Sequence, residues 1–384
     1  MPLDLSNEDL LARLVAFDTV SDRSNVPMVD FVCDYLDLPG VETCRCDGPG
    51  PGKVNLVVRV GPGAADRAGL ILSGHMDVVP ADEPAWKSDP FTLTDCGDAY
   101  VARGACDMKG FVAIAVNAAR TAAARGLVHP LVLILTCDEE LGTLGAQHLA
   151  ATWDRRFPLP KSALIGEPTS LRVVRMHKGH MTVRITLSGR AAHSGYPSQG
   201  RSAVEPAARV IAALARLRGA LEGEGGPHAA LFPETPFPAL CVARVRGGTA
   251  INIIPDRCVI DVGVRAMPGM ASGPLFARIE DAVHAVRDVG EVAVELVNDS
   301  PPLLTDETTP IHRTLCAIVA QTQSFGVSYA SDAGPLQALD IDCALCGPGT
   351  IEVAHKPNES LPKREFRAAA DIVDRAVHGF CMAP

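Results

Sequence analysis

The alternation of apolar and polar positions divides the chain into two kinds of segment. In the first part, VNLVVRV (Val54 to Val60) and LILSGHMDVV (Leu70 to Val79) are rich in aliphatic and β-branched residues and predict strands. LVLILTC (Leu131 to Cys137) is an unbroken apolar run, the pattern of a strand covered on both faces. SALIGEP (Ser162 to Pro168) predicts a further short strand, and the Ala-rich stretch Gly110 to Arg125 a helix. This βαβ rhythm points to an α/β domain with a largely parallel sheet. Near the chain start, Ser6 followed by Asp9 has the form of a helix cap.

The pattern changes near Lys178. HMTVRITLSG alternates apolar and polar residues, as in a strand with one solvated face. After it come a helix (Ser202 to Leu217), two strands (PALCVARVRG and RCVIDVGVRA), a helix (Gly273 to Val286) and the strand EVAVELV. The order β-α-β-β-α-β is that of a ferredoxin-like unit. From about Pro301 the chain returns to helix and loop and ends in a helix, Pro362 to Val377. The expected fold is a catalytic α/β domain with a largely parallel mixed sheet and helices on both faces (residues 1–177 and 300–384). A smaller α+β domain (178–299) interrupts it.

Size and charge narrow the function. A chain of 384 residues exceeds one ordinary core, in keeping with two domains. The net charge of −10 argues against nucleic acid and anionic membranes as partners, because both are bound mainly through Lys and Arg. The N-terminal stretch lacks the basic and apolar regions of a signal peptide, so a cytoplasmic protein is expected. The 12 cysteines are scattered rather than dense. Cys343 and Cys346 form a lone C-x-x-C without a second half-site, which favours two buried thiols over a zinc ribbon.

Five short motifs carry candidate chemistry. SGHMDVVP places His75 and Asp77 two residues apart on a strand, hence on one face, where a carboxylate can orient a metal-binding imidazole. RGACDMKG holds Asp107 between glycines; alone it reads as a turn or helix cap. LTCDEELG puts Asp138, Glu139 and Glu140 directly after a buried strand, where like charges repel and lose hydration unless a cation sits among them. LIGEPTS supplies Glu167 at another strand end, and GPGTIEVAHKPNES supplies His355. Together they offer two imidazoles and three carboxylates (Asp107, Glu140, Glu167), with Glu139 as a further, non-ligand acid. That donor set suits two co-catalytic zinc ions about 3.5–4 Å apart.

The order H-x-D, D, E-E, E, H, with an α+β insert before the last histidine, resembles the di-zinc aminoacylase and carboxypeptidase family over essentially the whole chain. The resemblance implies that His75, Asp107 and Glu167 hold one zinc and Asp107, Glu140 and His355 the other. Asp77 would orient His75, and Glu139 would be the general base. It also implies a lid that makes a homodimer, His193 (RAAHSGYP) as oxyanion donor, and Asn252, Arg265 and Gly349 as substrate-binding residues. SGHMDVVP, AWKSDPF, RGACDMKGF, IGEPT and GPGTIEVAHKP look most similar to the family's acetylornithine deacetylases. YASDAG departs from them with Ser331-Asp332 where Thr-Glu is frequent, and Asp332 becomes a candidate partner for a cationic side chain. The expected substrate is a small N-acyl amino acid, N-acetyl-L-ornithine first, with two Zn2+ as cofactor and Co2+ or Mn2+ also suited to the ligands. Desuccinylase, general aminoacylase, dipeptidase and an inactive amino-acid-binding relative are the alternatives.

Overall fold

The computed structural model describes residues 4–64 and 66–382. It divides into two compact units, one of residues 1–176, 305–325 and 331–384, the other of residues 177–304 and 326–330.

The first unit is built on a mixed sheet. Its strands run in the order Val41–Asp47, Val54–Val60, Leu131–Thr136, Leu70–His75, Ser162–Pro168, Asp342–Gly347, Val174–His177. The four central strands, from Leu131–Thr136 to Asp342–Gly347, are mutually parallel, and the flanking pairings are antiparallel. Every residue of Leu70–His75, Leu131–Thr136 and Ser162–Pro168 is buried, which accounts for their unbroken apolar runs. Helices Asn7–Val15, Gly110–Ala123 and Lys363–Val377 share the core with them. The Ser6 hydroxyl accepts from the Asp9 backbone N–H at 3.0 Å and so caps the first helix. Cys343 and Cys346 are buried thiols within one strand. A small three-stranded sheet joins Thr94–Asp95, Ala99–Val101 and Ser360–Pro362.

The second unit is a four-stranded antiparallel sheet in the order Ala239–Gly247, Arg257–Arg265, His180–Ser188, Glu291–Ser300. Alternate residues of His180–Ser188 (Met181, Val183, Ile185, Leu187) are buried beneath helices Val204–Leu221 and Ser272–His284. The connectivity is β-α-β-β-α-β, as the alternation predicts.

Because the central strands are parallel, their carboxyl ends share one edge. Ligands of open α/β sheets bind beyond that edge. Close packing reaches up to it: a Cβ on Gly166 would lie 1.8 Å from the Phe111 ring. Gly166→Ala is expected to destabilise the protein by about 3 kcal/mol, the upper range for overpacking. Thermal unfolding monitored by circular dichroism checks this; an unchanged midpoint would contradict the packing described.

Candidate metal centre

Each of the five motifs ends a strand or follows one. His75 is the last residue of Leu70–His75 and lies opposite Thr136, the last of Leu131–Thr136. Glu139 and Glu140 follow Thr136 after Cys137 and Asp138. Glu167 is the penultimate residue of Ser162–Pro168, and His355 lies in the loop after Asp342–Gly347. Asp107 sits in a short turn, Ala105–Lys109, before helix Gly110–Ala123.

Two donor groups result. One ligand atom from each of His75, Asp107 and Glu167 lies within 4.8 Å of the others, and the same holds for Asp107, Glu140 and His355. Asp107 belongs to both. Its Oδ1 faces His75 Nε2 at 3.0 Å and its Oδ2 faces His355 Nε2 at 3.3 Å. Each oxygen of one carboxylate thus serves a different group, the geometry of a bridging ligand. Glu140 lies 3.0 Å from the same His355 nitrogen. Glu139 belongs to neither group.

The electrostatics agree with a cation. Burial raises the carboxyl pKa of Glu139 and Glu167 well above the usual range, and their acidic neighbours add to the shift. Burial likewise pushes Glu140 up to about 7. Burial would raise Asp107 too, but hydrogen bonds to His355 and His75 outweigh it and hold that carboxyl below the ordinary range. Those bonds to Asp107 and Glu140 raise His355 to about 10. Four carboxylates facing two imidazoles remain short of positive charge even with both rings protonated. Imidazole nitrogen and carboxylate oxygen are donors that zinc accepts, so the residues fit a pair of divalent ions.

The backbone around these ligands is held by residues with several partners. The His75 Nδ1–H donates to the Asp77 main-chain carbonyl at 2.9 Å, whereas the Asp77 carboxylate is 3.8 Å from that nitrogen. The carboxylate accepts instead from the backbone N–H groups of Glu139 (3.0 Å) and Glu140 (3.2 Å) and from the Ser21 hydroxyl (2.7 Å). Orientation of His75 by residue 77 therefore passes through its carbonyl, while its side chain secures the acidic loop. Lys53 donates to Asp138 (2.6 Å) and to the Ser21 carbonyl (2.5 Å), pinning the positive-φ residue that starts that loop. Glu359, 1% exposed, accepts from the backbone N–H groups of Gly104, Cys106 and Asp107 and pairs with buried Arg103 at 2.9 Å. Strand Ser360–Pro362 pairs with Ala99–Val101, which brings Glu359 to the Asp107 turn. Lys53 belongs to no sequence pattern that would single it out; Glu359 lies within the motif GPGTIEVAHKPNES, of which the sequence reading singles out only His355.

The remaining candidates fall in different places. Asp332 is buried in the first unit; one carboxylate oxygen takes the Thr136 hydroxyl, and the other has no hydrogen-bond partner. Burial raises its pKa to about 6. Gly349 adopts φ +84°, donates its N–H to Glu365 at 2.8 Å, and accepts at its carbonyl from Ser170 N–H at 2.6 Å. Both backbone groups are engaged within the fold. Its positive φ serves the turn leading to His355. His193, Asn252 and Arg265 lie in the second unit. His193 is exposed and follows the Asn252 segment closely: Ser194 N–H donates to the Asn252 carbonyl at 2.9 Å. Gly195 N–H donates to His193 Nδ1 at 3.0 Å, so the neutral ring carries its proton on Nε2 as a free-standing donor. Arg265 ends strand Arg257–Arg265.

A carboxylate shared by two imidazole-carboxylate groups, with Glu139 beside them and outside both, is a donor set that suits a pair of divalent ions. Residues 71–379 match the family described as peptidase family M20/M25/M40, and the chain belongs to that family of metal-dependent hydrolases. The acetylornithine deacetylase of Pectobacterium carotovorum is 32% identical over 369 residues, spanning 95% of this chain and 94% of that protein. Among solved structures, an M20 family metallo-carboxypeptidase from Sulfolobus solfataricus superposes with a TM-score of 0.77 at 17% identity, covering 97% of this chain and 98% of that one. A dinuclear metal-binding peptidase from Bacillus subtilis gives 0.66 at 15% identity, with 97% of each chain covered. These two likenesses concern the fold. Among the described residues, no helix is long and apolar enough to cross a membrane.

Two outcomes are expected. A metal at the Glu140–His355 group must displace their protons. With Glu140 raised to about 7 and His355 to about 10, binding should release about one proton at pH ~8 and about two at pH ~6. Apparent affinity then falls more steeply with pH below 7 than above it. Calorimetric titration in buffers of differing ionisation enthalpy measures this; release that does not vary with pH would contradict the assignment. Glu359→Gln should weaken metal binding by about 10–100-fold, the usual effect of removing a group that orients a ligand. Competition with a chelator reads that change.

Proposed function

We propose that this chain hydrolyses the amide bond of a small N-acyl amino acid, with N-acetyl-L-ornithine as the first candidate substrate, giving L-ornithine and acetate. The observation that carries the reading is the Asp107 carboxylate placed between His75 and His355, with Glu139 beside it and outside both donor groups. The whole-length similarity to an acetylornithine deacetylase supports the substrate class.

In this reading His75, Asp107 and Glu167 hold one divalent ion and Asp107, Glu140 and His355 the other, with zinc expected. Such ions supply Lewis acidity, polarising the scissile carbonyl and lowering the pKa of a water to about 7. Glu139 takes the proton of the attacking water and delivers it to the departing amine nitrogen. A carboxyl pKa raised by burial suits both steps, since the group must accept and then give up a proton near neutrality. Asp77 keeps the Glu139 backbone fixed while this happens. His193 Nε2–H donates to the oxyanion of the tetrahedral intermediate. Arg265 and Asn252 hold the α-carboxylate, for which the planar guanidinium is suited. The unpartnered oxygen of Asp332 is the candidate acceptor for the distal ammonium of ornithine. The second unit acts as lid and as the surface of a homodimer, and the protein works in the cytoplasm within arginine biosynthesis.

Ornithine release from N-acetylornithine by the zinc-loaded protein tests the reading. Glu139→Gln should retain both metals and lose turnover by about 10²–10⁴-fold, the usual worth of a general acid–base group. Metal retention with near-normal turnover would remove Glu139 as the base. No ornithine release, together with hydrolysis of succinyl-diaminopimelate, another N-acyl amino acid or a dipeptide, would move the substrate and leave the metal chemistry intact.

A further inference from the structure

The edge strand Val41–Asp47 carries Cys44 and Cys46 on one face, their sulfurs 3.8 Å apart. Both line a groove of about 510 Å³ in the first unit, walled by Trp153, Phe157 and His148. Asp47 and Glu42 line the same groove, so carboxylates stand beside the thiols. None of these residues belongs to the metal centre described above. Strand Val41–Asp47 lies at the sheet edge, separated from Leu70–His75 by two intervening strands.

We propose that Cys44 and Cys46 form a bidentate thiolate site for a thiophilic divalent cation of the Zn2+ and Cd2+ class, separate from the catalytic pair.

The spacing carries the argument. Two thiolates on a tetrahedral ion with bonds of about 2.3 Å stand ~3.8 Å apart. The strand presents that separation without rearrangement, because residues i and i+2 point the same way. A disulfide is the competing fate of neighbouring thiols. Successive same-face residues of a strand lie about 6.6–6.8 Å apart at Cα, the far limit of disulfide geometry, so the extended backbone favours an ion over a bond. The charge balance points the same way. Burial, then the adjacent Cys44, push the Cys46 thiol up to about 12. A cation held between the sulfurs relieves both penalties, and the two thiol protons pass to solvent as it binds. The remaining two positions of a tetrahedral ion open into the groove, where water or a small ligand completes them.

Cadmium titration of the reduced, zinc-loaded protein tests this. Thiolate-to-cadmium charge transfer absorbs in the ultraviolet, whereas the histidine and carboxylate ligands of the catalytic centre give no such band. The expected result is a band that saturates at one equivalent of Cd2+ and is lost in the double variant Cys44→Ser, Cys46→Ser. Hydrolytic activity of that variant should equal the parent's, which also confirms that it folds. Absence of the band from the parent, or its persistence in the folded double variant, would overturn the proposal. Neither result bears on the catalytic reading, since the two sites share no residue.

Discussion

Crowding of carboxylates at the end of a buried sheet is the constraint on which this structure turns. Asp107, Glu139, Glu140 and Glu167 are brought together from three segments, and desolvation raises or would raise the pKa of each. Without compensation such an arrangement costs several kcal/mol per ion. The fold supplies part of the compensation through His75 and His355, both directed at Asp107. The remainder falls to divalent cations. The same electrostatic tension that makes the site costly to assemble favours a cation among the carboxylates and holds the Glu139 carboxyl pKa well above its usual range.

Around this centre the protein spends backbone hydrogen bonds rather than side-chain pairs. Glu359 gathers three peptide N–H groups, and Asp77 gathers two. A carboxylate satisfied by main-chain donors fixes a loop more firmly than a surface ion pair does, since the donors have few degrees of freedom of their own. Lys53 extends the same principle one step outward by neutralising Asp138, whose positive φ begins the acidic loop.

Much of this was legible in the chain. The unbroken run Leu131 to Cys137 marks a strand buried on both faces, and that position favours a cation among the acids after it over a solvated acidic loop. The alternation in HMTVRITLSG separates the half-exposed sheet of the second unit from the fully buried one of the first. The edge strand Val41–Asp47 escaped because VETCRCD lacks an apolar run; a strand paired on one side only can be polar along most of its length. Lys53 and Glu359 escaped because their roles arise from contacts 85 and more than 250 residues away along the chain. At Gly349 the structure shows a backbone reason for glycine, the positive φ of the turn leading to His355.

Residue 77 joins two tasks that a designer would keep apart. Its carbonyl fixes the tilt of one imidazole, and its carboxylate tethers the loop that carries Glu139 and Glu140. Any exchange at this position is felt on both sides of the centre at once. Glutamate would preserve the charge, but its extra methylene displaces the anchor for two peptide groups. The two halves of the centre are therefore mechanically one part, and their contributions are not separable by substitution at position 77.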